Sequence, residues 1–123
     1  FLCADLRDTT QLLPTDWRHT SPRFHAEHYA KNLQLLDNHL EISRDVGCTP
    51  AQLALAWVLH QAPNIVTIPG TSRIDHLKDN MGAANIQLSP EILARLDAAI
   101  NHDNVSGNRY NEAVTKEVDT ESF

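Results

Sequence analysis

Ile65-Val66-Thr67-Ile68-Pro69-Gly70-Thr71-Ser72-Arg73 is the segment on which the fold turns. Residues 65–68 are all β-branched, and the run is apolar on both faces. That predicts a short strand over 65–69, of the kind found in a parallel sheet covered on both sides. Gly70-Thr71-Ser72 then reads as a turn opening a helix over roughly 73–83, with Ile74, Leu77 and Met81 on its inner face. One strand cannot make a sheet. Left without neighbours, the backbone groups of Ile65 to Ile68 would stay unpaired, which is costly when buried. The reading is therefore part of a parallel α/β fold, predominantly helical within this chain, with most of the sheet supplied from outside it.

The flanking segments agree. Before the strand, Thr49 is placed to cap a helix, Pro50 occupies its first position, and Gln52 completes a capping box. Ala51, Leu53, Ala54, Leu55, Ala56, Trp57, Val58 and Leu59 follow without a polar break. A helix that is apolar all round has to be covered on most sides. Pro63-Asn64 ends it. Earlier still, Tyr29, Leu33, Leu36 and Leu40 recur at spacings of three and four, widened by Leu35, Ile42 and Val46, and predict an amphipathic helix over 26–46 stopped by Gly47. Residues 1–25, with Pro14, Pro22, Trp17 and Phe24, read as a long surface loop. After the turn, Ser89 and Pro90 open a last helix striped by Ile92, Leu93, Leu96 and Ile100. From Asn101 the chain is polar, and past Asn111 it is expected to fray or to depend on a partner.

The chain has 123 residues, 41% of them hydrophobic and 21% charged, the composition of one globular domain. Lys and Arg total 10 against 16 Asp and Glu, for a net charge of -6. An acidic chain without a basic tract argues against non-sequence-specific nucleic-acid binding. No apolar run reaches the ~18–20 residues of a membrane span. Two distant cysteines, Cys3 and Cys48, make no disulfide framework and fit a reducing, cytoplasmic setting. The opening Phe1-Leu2-Cys3 has neither an initiator Met nor a signal-like region, so the expectation is a processed product or a piece of a longer chain.

Chemistry concentrates at the turn. Gly70, Thr71, Ser72 and Arg73 put a glycine, two hydroxyls and a guanidinium between a strand end and a helix start, with Asp79 and Asn80 one to two turns further on. Helix N-terminal N–H groups and the dipole favour an anion, and Arg can grip a phosphate with two bonds. The competing reading is a capped helix start with a surface Arg, and spacing alone does not separate the two.

Thr49-Pro50-Ala51-Gln52-Leu53-Ala54-Leu55-Ala56-Trp57, then Ile68-Pro69-Gly70-Thr71-Ser72-Arg73, then Asp79-Asn80, resemble the C-terminal third of an aldo-keto reductase. Phe1-Leu2 resembles the end of that family's loop after the seventh strand. Pro22-Arg23-Phe24 and Gly107-Asn108-Arg109-Tyr110 resemble further motifs of its members. The resemblance runs over nearly the whole chain. It implies a (β/α)8 TIM barrel that binds NADPH and reduces an aldehyde or ketone, a small-molecule carbonyl substrate. By the same resemblance, Gly70, Thr71, Ser72 and Arg73 hold the 2′-phosphate of the adenosine ribose, and Asp79 and Asn80 reach the adenine. Residues 1–25 become the loop after the seventh strand, 26–62 a helical layer, 65–69 the eighth strand, 72–100 the final helices and 101–123 the C-terminal tail. The partner implied is the N-terminal part of the barrel.

This chain departs from the family in two places. Cys3-Ala4-Asp5 stands where the family commonly has Thr-Gly-Lys, which replaces a loop Lys near the cofactor with an acid. The family's catalytic Asp, Tyr, Lys and His belong to the first half of the barrel, and nothing here matches them, so no catalytic residue is assigned. Two alternatives remain beside the enzyme: a non-catalytic NADPH-binding regulatory subunit, and a truncated remnant. His25 and His28 are too few for a zinc site, and no metal is assigned. Asp75-His76 beside Ser72 lacks a nucleophile elbow and reads as a helix start. His76 fits equally a phosphate contact and an exposed helix His. Trp17 and Phe24 fit a pocket mouth or a loop packed on its own aromatics.

Overall fold

The structure, a computed structural model, describes residues 1–118; Asp119 to Phe123, part of the expected tail, lie outside the described residues. Five α-helices occur among the described residues: α1 Ala26–Val46, α2 Pro50–Gln61, α3 Ile74–Gly82, α4 Pro90–Ala99 and the short α5 Glu112–Thr115. The opening loop winds into three 3-10 turns, Thr9–Gln11, Trp17–Thr20 and Pro22–Phe24, and a fourth, Ala83–Asn85, follows α3.

Local chemistry sets the helix ends. Gly47 adopts φ 77°, and its N–H reaches the carbonyls of Ser43 and Arg44 while Cys48 N–H returns to Ser43. Only a residue at ease with positive φ closes a helix this way. The capping box of α2 is complete: Thr49 Oγ1 accepts from Gln52 N–H at 3.1 Å, and Gln52 Oε1 accepts from Thr49 N–H at 3.1 Å. Ser89 caps α4 through Ile92 N–H, with Pro90 at the first position.

α1, α2 and α4 enclose the core. Ile42, Leu53, Ala56, Leu88, Leu96 and Ala99 are buried together, flanked by Val46, Cys48, Trp57, Ile86, Ile92, Leu93 and Ile100. Each fully buried Leu contributes about 1.5–3 kcal/mol. The buried line of α1 is Tyr29, Asn32, Leu36, His39, Ile42 and Ser43. Leu33 and Leu40, expected on that stripe, lie half-buried on its shoulder, and two polar residues hold its centre. Their buried polar atoms are all satisfied. His39 Nε2 bonds the Pro50 carbonyl at 2.8 Å, and Asn32 clamps the tail as described below.

Two expectations are corrected. Residues 65–69 form no strand: among the described residues no β-ladder exists, Val66 is 82% exposed and Ile68 95% exposed. A strand is defined by its neighbours, and the described residues offer none, so the β-branched run stays unpaired. Ile74, Leu77 and Met81 are likewise not an inner face; they are exposed. α3 meets α2 through its other side, by way of Asp79 and Gly82. Most of α2 is only half-buried, although the helix is apolar nearly all round.

Candidate functional site

The turn before α3 sits in the open. Gly70, Thr71, Ser72 and Arg73 are all exposed, and a Cβ added at Gly70 would meet nothing within 4 Å. Thr71 folds the turn onto itself: its Oγ1 accepts from the Arg73 N–H at 3.2 Å and donates to the Arg73 carbonyl at 3.1 Å. Arg73 therefore becomes the residue that caps α3, in extended backbone and without a side-chain cap bond. The first N–H groups of α3 and the guanidinium thus share one end of the helix, a donor set suited to a phosphate.

That guanidinium already holds an anion. Arg73 Nε donates to Asp75 Oδ1 at 3.1 Å and Nη2 to Asp75 Oδ2 at 2.5 Å. The pairing raises the Arg73 pKa. It lowers that of Asp75, whose carboxylate also benefits from the N–H groups of Asp75 and His76. Ser72 makes no side-chain hydrogen bond among those of the described residues, and His76 is exposed.

Asp79 and Asn80 stand two turns along the same helix, half-buried. Asn80 is seven residues from Arg73, which stands just before the helix in extended backbone. Asp79 is turned the other way. Its Oδ2 accepts from Thr49 Oγ1 at 2.9 Å, and its carbonyl accepts from Gln52 Nε2 at 3.0 Å. The structure thus leaves Arg73 exposed at the head of α3, places Asn80 half-buried further along the same helix, and gives Asp79 to the α2 cap. Cys48, close by, has its thiol pKa raised by burial and by the Asp79 charge.

A second feature was not read from the sequence. Asn32, buried in α1, donates to Ser106 O at 2.9 Å and Arg23 O at 3.2 Å, and accepts from Ser106 N–H at 2.8 Å. His28 Nδ1 contacts Ser106 Oγ at 2.9 Å, and Arg23 Nε donates to the Gly107 carbonyl at 3.2 Å. These bonds tie Ser106 and Gly107 to Arg23, His28 and Asn32 and bring two motif segments, Pro22-Arg23-Phe24 and Gly107-Asn108-Arg109-Tyr110, together. Burial, and then the neighbouring Arg109, pull the Arg23 pKa down. An open cleft of about 1000 Å³ borders this junction, lined among others by Arg23, Trp57, Arg109 and Tyr110. None of the six residues nominated at the turn lines it. The aromatics of the opening loop pack on each other, Trp17 edge-on to Phe24 and Phe24 stacked on Tyr29, yet Trp17 remains 68% exposed.

The family model of the aldo/keto reductase family matches residues 5–101. The chain belongs to the aldo/keto reductase family. Membership implies a TIM barrel, while among the described residues the chain is helical and the 65–69 run is unpaired. The aldo/keto reductases are oxidoreductases that use NAD(P)H. The match spans the turn, both residues of the Asp79-Asn80 pair and the capped helix α2, and stops before Gly107. Among the described residues, no helix is long and apolar enough to cross a membrane.

Proposed function

We propose that this chain forms the adenosine end of the cofactor site of an NADPH-dependent carbonyl reductase. The carrying observation is the end of α3: an exposed guanidinium, the first helical N–H groups and an unobstructed glycine, with Asn80 further along the same helix. Arg73 holds the 2′-phosphate, with Gly70 leaving room for close approach and Thr71 and Ser72 adding hydroxyls. Asn80, with Asp79 beside it, borders the adenine. NADPH supplies hydride to an aldehyde or ketone; this chain's residues bind and orient its far end. No proton donor is assigned here, so the chemical step draws on groups outside this chain.

Supporting the barrel assembly, Val66, Ile68, Ile74, Leu77 and Met81 present large apolar side chains to solvent within one short stretch. Exposure on this scale marks a surface that expects a neighbour. The N-terminal part of the barrel is the proposed one. Free Cys3 and Cys48 support a reducing, cytoplasmic location.

The test is cofactor titration on the full-length protein. Arg73→Ala weakens NADPH binding about tenfold or more, the scale of a charge-assisted contact, and leaves NADH within about twofold. Equal losses for the two cofactors would remove Arg73 from this role.

A further inference from the structure

Asp75 follows Arg73 by two residues and offers its guanidinium what a phosphate would offer: two oxygens, on Nε and Nη2, at 3.1 and 2.5 Å. The same carboxylate lies on the first turn of α3, against the N–H groups of Asp75 and His76. An anion entering this turn finds its cationic partner already in use. We propose that Asp75 is a resident counter-anion that competes with the 2′-phosphate, and that it thereby sets how strongly the protein prefers the phosphorylated dinucleotide. The inference rests on the reading of Arg73 given under Proposed function.

Two features make the competition displaceable. The Arg73 and Asp75 side chains are 65% and 61% exposed, so their pair is weak and screened by salt. The contact also spans only two residues, so rotating one side chain releases it without moving the helix. Asp75 acts whether or not it is displaced. If it swings away, the phosphate has replaced an existing partner. If it stays, its negative charge faces a dianion across one guanidinium. Both routes weaken binding of the phosphorylated cofactor and leave its unphosphorylated counterpart untouched.

The experiment measures NADPH, NADH and 2′-AMP binding by calorimetry to the full-length protein, to Asp75→Asn and to Arg73→Ala. Asp75→Asn should tighten NADPH and 2′-AMP about three- to tenfold, with NADH within about twofold, and the gain should shrink from 50 to 500 mM salt, roughly as an exposed charge effect does. Asp75→Ser, equally at home in a first helical turn, guards against a folding defect of the Asn variant and should behave alike. Unchanged or weaker NADPH binding in both Asp75 variants, with Arg73→Ala still selective against NADPH, would overturn the role of Asp75 alone. Loss of that selectivity in Arg73→Ala would overturn the phosphate site itself, and this inference with it.

Discussion

Thr49 and Asp79, thirty residues apart, share one hydrogen bond that joins two helices. Thr49 Oγ1 accepts from Gln52 N–H to start α2 and, at 2.9 Å, donates its own proton to the Asp79 carboxylate on α3. Gln52 completes the link by donating to the Asp79 carbonyl at 3.0 Å. A cap that is normally a local device here also sets where α3 lies, and with it the direction in which Arg73 and Asn80 face.

Gly82 makes this link testable. A Cβ at position 82 would lie 2.5 Å from Gln52 Nε2, so Gly82→Ala must push the Gln52 amide off the Asp79 carbonyl. The lost bonds cost about 1–2 kcal/mol and outweigh or cancel the roughly 1 kcal/mol that Ala gains over Gly in a helix. In a Gln52→Ala background the obstruction is gone, and Gly82→Ala should stabilise. Urea unfolding midpoints of the four proteins in this cycle measure the coupling. Additive effects of the two changes would show that Gln52 does not bridge the helices.

Asn32 predicts a different kind of loss. It is 4% exposed, and its removal leaves Ser106 N–H, Ser106 O and Arg23 O without their side-chain partner. Asn32→Ala should cost about 2–4 kcal/mol. Amide exchange should accelerate at residues 105–110 before it does in α2 or α4. Gly107→Ala should release the same segment: its φ of 86° disfavours a side chain, and a Cβ would come within 3.0 Å of the His28 ring.

What was legible from the sequence is what neighbouring residues decide. The α2 capping box, the Gly47 stop, the Ser89-Pro90 start and the α4 stripe are all written within a few positions, and each stands in the structure. The β-branched pattern at 65–69 describes a strand with neighbours, and pairing is not a local property, so the pattern alone does not make a strand here. The spacing of Ile74, Leu77 and Met81 is helical, but spacing does not say what packs on a face, and all three are exposed. Asn32 and His39 carry no such signal: apolar periodicity says nothing of polar residues, and their partners lie 74 and 11 positions away. In the sequence, Asp75 fits a helix start. Its second use, on Arg73, depends on the turn that Thr71 folds.

Asp16 carries an acid-sensitive contact. Its carboxylate accepts from Arg18 Nε at 2.9 Å and Nη2 at 2.7 Å, and from the Arg18 N–H at 2.9 Å. These bonds to Arg18 lower its pKa to about 2. A lowered folded pKa means that the unfolded chain binds the proton first, so the stabilisation is complete above about pH 4 and is lost as pH falls toward 2. The turn at Trp17–Thr20 should loosen over that window, read as a change in the emission of Trp17 packed on Phe24. Asp16→Asn should show the loosened signal at neutral pH and no transition on acidification.

His39 gives the second pH dependence, at milder acidity. It is 2% exposed, and Nε2 bonds the Pro50 carbonyl, so α1 touches the first turn of α2 through the ring. Burial lowers its pKa, and the bond to Pro50 offsets this only in part. The sign follows from which state takes the proton more readily. The unfolded chain, with an ordinary His near 6.5, binds it at a pH where the folded protein does not. Stability is therefore complete above about pH 7 and declines as pH falls below 6.5, until the folded ring itself protonates. Thermal midpoints between pH 8 and 5 should fall with acidification. His39→Gln keeps an N–H for the Pro50 carbonyl but has nothing to titrate, so its midpoint should start lower at pH 8 and change less on the way down. His39→Ala, which also leaves a cavity, should lose about 2–4 kcal/mol at every pH above 7. A wild-type midpoint that stays level from pH 8 to 5 would mean that the buried ring is not what couples α1 to α2.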